Sequence, residues 1–322
     1  MLRFVLRRLV FLIPVLLLIS VLSFGLLVSM PGDPLDMLAF GNPGITKADI
    51  NRLKQLYGVD EPFPVRYAKW MAQIAQGNFG YSRTYKISVV ELVTPRIENT
   101  LILAGLSLLV SLVAAIPLGI YSAVHPYSVG DYVATTFAFF GYAVPAFWLG
   151  LMMIILFAVD LNWLPAGGLV STDVQPGLMN QLSDRLIHLI LPVFVLSLGS
   201  LAVWARYMRS SLLEVIHMEY IQTARAKGLR ERAILYHHAL RNALIPMVTL
   251  FANTFPILLG GSVIVETVFS YPGMGKLLYD SVLDNDFSVS MAILMFLAIL
   301  VVLFNLLADV SYGILDPRVR YE

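Results

Sequence analysis

The sequence predicts an all-α polytopic membrane protein that crosses the bilayer about six times, with both termini in the cytoplasm. Three observations lead there. Charged side chains make up 13% of the 322 residues and apolar ones 58%, whereas a soluble domain carries about 25% charged residues to cover its surface. Six apolar runs are each long enough for a helix to span a hydrocarbon core of roughly 30 Å. Apart from the long 31–98 segment, Lys and Arg gather in the N-terminal segment, 206–241 and the C-terminal tail, and the basic residues of short loops set orientation across a membrane.

The runs cover 9–30, 100–124, 132–159, 186–207, 244–265 and 289–313. Backbone groups inside the bilayer must be hydrogen-bonded within the protein, so only helices or a closed barrel can cross it. Barrel strands alternate apolar and polar residues, and none of these runs alternates, so each is read as a helix. The first run follows Arg3, Arg7 and Arg8 as a signal peptide would. Its apolar stretch exceeds the roughly 7–15 residues of a signal core, and no A-x-A-like site closes it, so it is read as a retained first span. Length alone would allow two or three soluble domains; the runs instead make one membrane domain over 1–322.

Orientation follows the basic residues of the short loops. The N-terminal segment holds three arginines, the segment 206–241 holds Arg206, Arg209, Arg225, Lys227, Arg230, Arg232 and Arg241, and the C-terminal tail holds Arg318 and Arg320. With six spans all three fall on one side, which is predicted to be cytoplasmic. The loop at 125–131 shares that side although it has no Lys or Arg. Net charge is +1, so no overall field draws the chain to nucleic acid. The absence of cysteine removes disulfides, thiolate metal sites and a cysteine nucleophile together.

Two segments lie outside the membrane. The segment 31–98 is punctuated by proline and glycine. It is expected to hold a helix opening at Thr46 and running to about Leu56, and a second over 65–76 with Tyr67, Trp70, Met71 and Ile74 close to one face. It suits equally a packed cap or a docking surface for an outside partner. The cytoplasmic loop 208–243 is expected to hold two basic helices. One covers 214–227, with Glu219 early and Arg225 and Lys227 in its last turn, as the helix dipole favours. The other covers 231–240, and the hinge between them is Gly228, where a left-handed C-terminal cap favours glycine. The small residues Thr223, Ala224 and Ala226 would let another surface approach closely. Read bottom-up, the loop could equally lie on anionic lipid.

The sequence EYIQTARAKGL at 219–229, with HALRNALIP at 238–246, resembles the EAA loop of binding-protein-dependent ABC transporter permeases, most closely the dipeptide/oligopeptide/nickel group and its first permease type. The resemblance extends through Arg7, Arg8, Leu9 and Pro14, MPGDP at 30–34, GNFGYS at 77–82, ETVFSYPGMG at 266–275 and DPRVR at 316–320. One departure is Gln222, Thr223 and Ala224, where the general pattern has Glu-Ala-Ala. The resemblance implies an ABC type I importer permease fold in a prokaryotic inner membrane. It implies a second homologous permease subunit, one or two cytoplasmic ABC ATPase subunits that bind ATP and Mg, and an extracytoplasmic solute-binding protein. It implies a coupling loop docked in an ATPase cleft, for which Tyr220, Thr223, Ala224, Arg225, Ala226, Lys227 and Gly228 are the candidates. Peptides are the expected cargo, with nickel complexes, glutathione and oligosaccharides as alternatives within the family.

No cofactor or metal site is expected in this chain. A P-loop needs G-x-x-x-x-G-K-[ST], and around Gly275 and Lys276 the first glycine is replaced by Ser270 and the final hydroxyl by Leu277. No H-E-x-x-H or G-x-S-x-G occurs. Polar residues within the runs include Ser107, Thr135, Thr136, Asn253, Thr254 and Asn305. They serve helix–helix hydrogen bonding or line a pathway, and Asn253, Thr254 and Asn305 are the pathway candidates. Glu266, Tyr271, Pro272 and Gly273 are candidates for an outer gate or a binding-protein contact. Pro145 and Pro256 could kink the third and fifth spans. An ATPase-independent channel or secondary transporter is the alternative from another class, weakened because ionisable residues sit only at the ends of the runs. An intramembrane enzyme has no catalytic constellation to support it.

Overall fold

The structure, a computed structural model, describes residues 2–29, 61–173 and 177–315. Regular structure among them is helical, apart from an isolated bridge between Tyr81 and Ser88. In chain order the helices are α1 (Leu2–Val28), α2 (Phe63–Ala75), α3 (Val89–Val124), α4 (Val129–Ala143), α5 (Ala146–Asp160), α6 (Leu178–Ile216), α7 (Glu219–Ala226), α8 (Glu231–Ala243), α9 (Ile245–Val268), α10 (Met274–Leu283) and α11 (Phe287–Leu315). The expected helix from Thr46 to about Leu56 lies outside the described residues.

Four of these helices, α1, α3, α6 and α11, are each long and apolar enough to cross a membrane alone. Of the other two expected spans, 132–159 is a bent pair and 244–265 lies almost wholly in α9, which follows α8 at a bend. The run 132–159 is not one straight helix: α4 and α5 meet at 102° around Val144 and Pro145. Proline disfavours the α conformation in the residue before it, and Val144 is extended, with φ −77° and ψ 129°. Pro256 lies inside α9 and leaves that helix continuous. The fifth span bends by 41° between α8 and α9 instead, ahead of Pro246.

The core is the seam between α3 and α6. Ser107, Ser111, Ala115 and Gly119 recur every fourth residue along α3, and all are buried. Residues at that spacing share one helix face, and small ones let two backbones approach closely. A β-carbon at Gly119 would lie 2.5 Å from the Met208 side chain and 2.8 Å from the Ala205 carbonyl oxygen. The Ser111 hydroxyl donates across the seam to the Ser197 carbonyl at 2.9 Å. From α6, Leu201, Trp204, Met208 and Leu212 fill the facing side.

The remaining elements wrap this seam. A second cluster joins Val89 and Val93 at the start of α3 to Met274 and Leu277 of α10 and Val289 and Ile293 of α11. Helix α2, expected over 65–76, begins just after Pro62 and carries Pro64 in its first turn, where the missing N–H costs nothing. Its aromatic face packs on the first span: the Phe24 ring lies 5.5–5.6 Å from those of Phe63, Tyr67 and Trp70. Ser20 and Tyr67 share a 2.6 Å hydrogen bond.

Replacing Gly119 by leucine forces α3 and α6 apart. Overpacking of this kind costs about 1–3 kcal/mol, so the purified Gly119→Leu protein melts at a lower temperature than wild type by tryptophan fluorescence, whereas Gly105→Ala, at a site with open space around it, leaves the melting temperature near the wild-type value.

Candidate functional site

The basic loop after α6 folds back on its own chain. The sequence reading of one helix over 214–227 is corrected: α6 ends at Ile216, Met218 is extended with ψ 149°, and α7 starts afresh at Glu219. The break turns Ile221 and Ala224 inward, where they join Leu212 and Val215 of α6 and Ile234 and Ala239 of α8 in the core. A straight continuation would carry Ile221 away from that surface, and burying such a side chain contributes about 1.5–3 kcal/mol. The second helix also runs further than the expected 231–240, reaching Ala243 through a π-helical stretch at Ile234–Ala239.

Gly228 is the hinge. It has φ +74°, a left-handed conformation that strains any residue with a β-carbon. Its N–H donates to the Arg225 carbonyl at 2.9 Å and the Leu229 N–H donates to the Ala224 carbonyl at 3.3 Å, the paired bonds of a glycine C-cap. No atom lies within 4 Å of where its β-carbon would be, so backbone conformation alone selects glycine. Across the hinge Arg225 donates to both carboxylate oxygens of Glu231, at 2.9 and 3.4 Å. Asn242 donates to the Tyr220 hydroxyl at 2.7 Å.

Six of the seven candidate residues of this loop face solvent: Tyr220, Thr223, Arg225, Ala226, Lys227 and Gly228. Ala224 does not. At 7% exposure it packs inside the chain, and its small size serves the fit of α7 on α6 and α8.

The same end of the bundle holds a charge pair that spans the α4–α6 contact. Arg209 of α6 donates to both oxygens of Asp131, at 3.1 and 2.9 Å. Asp131 is buried and also accepts from the Tyr127 backbone N–H at 3.0 Å. The 125–131 loop lacks a cation of its own in sequence, and Arg209 supplies one in space.

At the opposite end, the candidates for an outer gate or binding-protein contact are sealed inside the chain. Glu266, Tyr271 and Gly273 are buried and Pro272 is half-buried. The Glu266 carboxylate accepts from the Thr100 hydroxyl at 2.8 Å and from the Lys276 N–H at 2.9 Å. Thr100 in turn accepts from the Met274 N–H at 2.8 Å. Asn99 donates to the Pro272 carbonyl, and the Tyr271 hydroxyl donates to the Asn99 carbonyl. A β-carbon at Gly273 would collide with the Glu266 carboxylate. The four residues form a latch that fastens the turn after α9 to α3.

The pathway candidates are dispersed. Thr254 is half-buried and bonds back to the Leu250 carbonyl at 2.7 Å, the local satisfaction expected of a threonine in a helix. Asn253 is exposed on α9, in a stripe with Ile257, Gly260 and Ile264, and Asn305 is exposed on α11. That stripe repeats at helical spacing and is exposed among the described residues. Asn99, Thr100, Asp131 and helix α10 were absent from the sequence reading. Glu266, acidic at the end of an apolar run, was the one signal that a buried acceptor needed donors.

Broken spans, a glycine-hinged basic loop at one end and a sealed turn at the other surround the packed α3–α6 seam of a polytopic membrane protein. Residues 115–321 match the family described as binding-protein-dependent transport system inner membrane component, and residues 1–104 match its N-terminal region. The chain belongs to this family and is a multi-pass inner-membrane protein. It is 42% identical to the oligopeptide transport system permease protein AppB of Bacillus subtilis over 322 residues, the whole of both chains. It is 36% identical to the dipeptide transport system permease protein DppB of Escherichia coli over 339 aligned positions, again the whole of both. Among solved structures it resembles a chain of the inward-facing MetNI methionine ABC transporter, with a TM-score of 0.56, 21% identity, and coverage of 70% of this chain and 97% of that one. At that identity the likeness shows the fold.

Removing the Thr100 hydroxyl leaves the Met274 N–H without its acceptor and takes from Glu266 one of its donors. An unsatisfied buried polar group costs about 1–3 kcal/mol. Thr100→Val therefore raises amide hydrogen exchange across 269–276 and lowers the melting temperature, while Thr100→Ser retains both.

Proposed function

We propose that this chain is the permease subunit of an ATP-driven peptide importer and forms half of the translocation pathway. The peptide cargo is supported by the oligopeptide and dipeptide permeases it matches over their full length. The other half would be a second, similar permease, set against the exposed α9 stripe of Asn253, Ile257, Gly260 and Ile264. A solute-binding protein would deliver the peptide. ATP and Mg would bind in one or two partner ATPases.

The single observation that carries the coupling role is the geometry of α7. It is a short helix with its apolar face committed to the chain and its polar face free. It is held at one end by the extended Met218 and at the other by a left-handed glycine. A force applied to Tyr220, Thr223, Arg225, Ala226 and Lys227 passes through Ile221 and Ala224 into α6 and α8. The Arg225–Glu231 pair keeps α7 and α8 from opening independently. In this reading α7 faces the cytoplasm and α2 faces outward.

Two outcomes test the proposal. Gly228→Val places a β-branched residue at φ +74°, a costly conformation. In vesicles reconstituted with the partner subunits, it keeps ATP hydrolysis but cuts peptide uptake about ten-fold or more; Gly228→Asn, which tolerates that conformation, retains uptake. Unchanged uptake in Gly228→Val removes the coupling role from this loop. Orientation is read by cysteine labelling, since the chain has no cysteine. A membrane-impermeant maleimide labels Gln73→Cys in intact cells and Lys227→Cys only after permeabilisation; the reverse pattern overturns the topology.

A further inference from the structure

A cavity of about 470 Å³ opens between α3, α4 and α6 beside the Asp131–Arg209 pair. That is within the roughly 300–1,000 Å³ of ligand sites. Its lining is mostly apolar, with Ala138 and Phe139 from α4 and Ala202 from α6, and the polar groups of Ser122, Thr135, Tyr132 and Arg206 join the Asp131–Arg209 pair there. The two cations of the cavity differ. Arg209 is neutralised by its two bonds to Asp131. The Arg206 guanidinium is exposed and has no hydrogen bond or ion pair among the described residues.

We infer that this cavity holds an anionic phospholipid, its phosphate at Arg206 and the Tyr132 hydroxyl and its acyl chain along Ala138, Phe139 and Ala202. Charge and polarity select that occupant. Arg206 lies at the end of the apolar run of α6, where a bilayer passes from hydrocarbon to headgroup, and tyrosines concentrate at that level. An arginine held there without a partner meets anionic headgroups. A free anion would satisfy Arg206 and leave the apolar walls empty. Arg209 is the weaker attractor for the headgroup, because its charge is already paired with Asp131. The lipid would brace α4 against α6 on the side of the bent third span.

Native mass spectrometry of the detergent-purified protein, after addition of equal phosphatidylglycerol and phosphatidylcholine, tests the assignment. Wild type retains phosphatidylglycerol in preference. Arg206→Gln lowers that preference about five-fold, the effect of one interfacial basic residue, and Arg206→Lys keeps it. Ala138→Trp fills the wall and removes bound lipid of either kind, while excess inorganic phosphate displaces none. The melting temperature of each variant in lipid-free detergent, unchanged for the two Arg206 variants at their exposed site, separates lipid loss from unfolding. An undiminished preference in Arg206→Gln, retained lipid in Ala138→Trp, displacement by phosphate, or capture of a polypeptide by a photo-crosslinker at Tyr142 each overturns the proposal.

Discussion

The close approach of α3 and α6 is the constraint on which the other elements depend. In a bilayer, apolar helices gain little by leaving lipid for one another, so association rests on packing and on interhelical hydrogen bonds. The four-residue stripe of Ser107, Ser111, Ala115 and Gly119 supplies both. It removes side-chain bulk from α3 along a line that Leu201, Trp204, Met208 and Leu212 of α6 then fill. With those two helices fixed, the bent α4–α5 pair, the α7 hinge and the α9–α10 turn each have a rigid surface to close on.

Polar groups are placed to serve that seam. A charge at the bilayer centre costs about 2.5–3.5 kcal/mol on insertion scales, and the described charges lie near helix ends. Where they are buried they are saturated. Asp131 meets a bidentate arginine, and Glu266 meets a hydroxyl and a backbone N–H. Breaking a buried pair costs more than the pair contributes, so these contacts specify which helix ends meet. The Asp131–Arg209 pair fixes the start of α4 on α6, and the Glu266 latch fixes the end of α9 on α3.

Much of this was legible in sequence because bilayer physics leaves few choices. The six runs, the first span, the glycine at the loop hinge and the bend at Pro145 follow from length, charge and backbone chemistry. The misreadings share one cause. Over 214–227 the local pattern is helical throughout, and only the pull of Leu212, Val215 and Ile234 on Ile221 explains the break at Met218. Ala224 looked like a docking surface because small residues look alike whether they face a partner or their own chain. The burial of the turn at 266–273 was not legible, because its donors, Asn99 and Thr100, lie more than 160 residues away. Tertiary partners at that separation leave no local trace.

Helix α6 joins the two ends of the molecule. Its 39 residues extend about 58 Å at 1.5 Å per residue. At its first turns Asp184 accepts from the Ser171 backbone N–H and hydroxyl, at 2.7 and 2.8 Å. At its last turns Val215 packs with Ile221 of α7, and Ser211 donates to the Ala243 carbonyl of α8 at 2.9 Å. A displacement of α7 therefore reaches α6 at one end and is carried along the seam, because a packed interior transmits strain instead of absorbing it. The bend at Val144 and Pro145 lies on the helix pair that rests against α6, and the Glu266 latch lies on the helix that rests against α3. Under the proposed function, the rigid seam converts a push on one short cytoplasmic helix into a rearrangement at the far side of the membrane, and the breaks at Pro145, Met218 and Gly228 are the joints that let it move without unpacking.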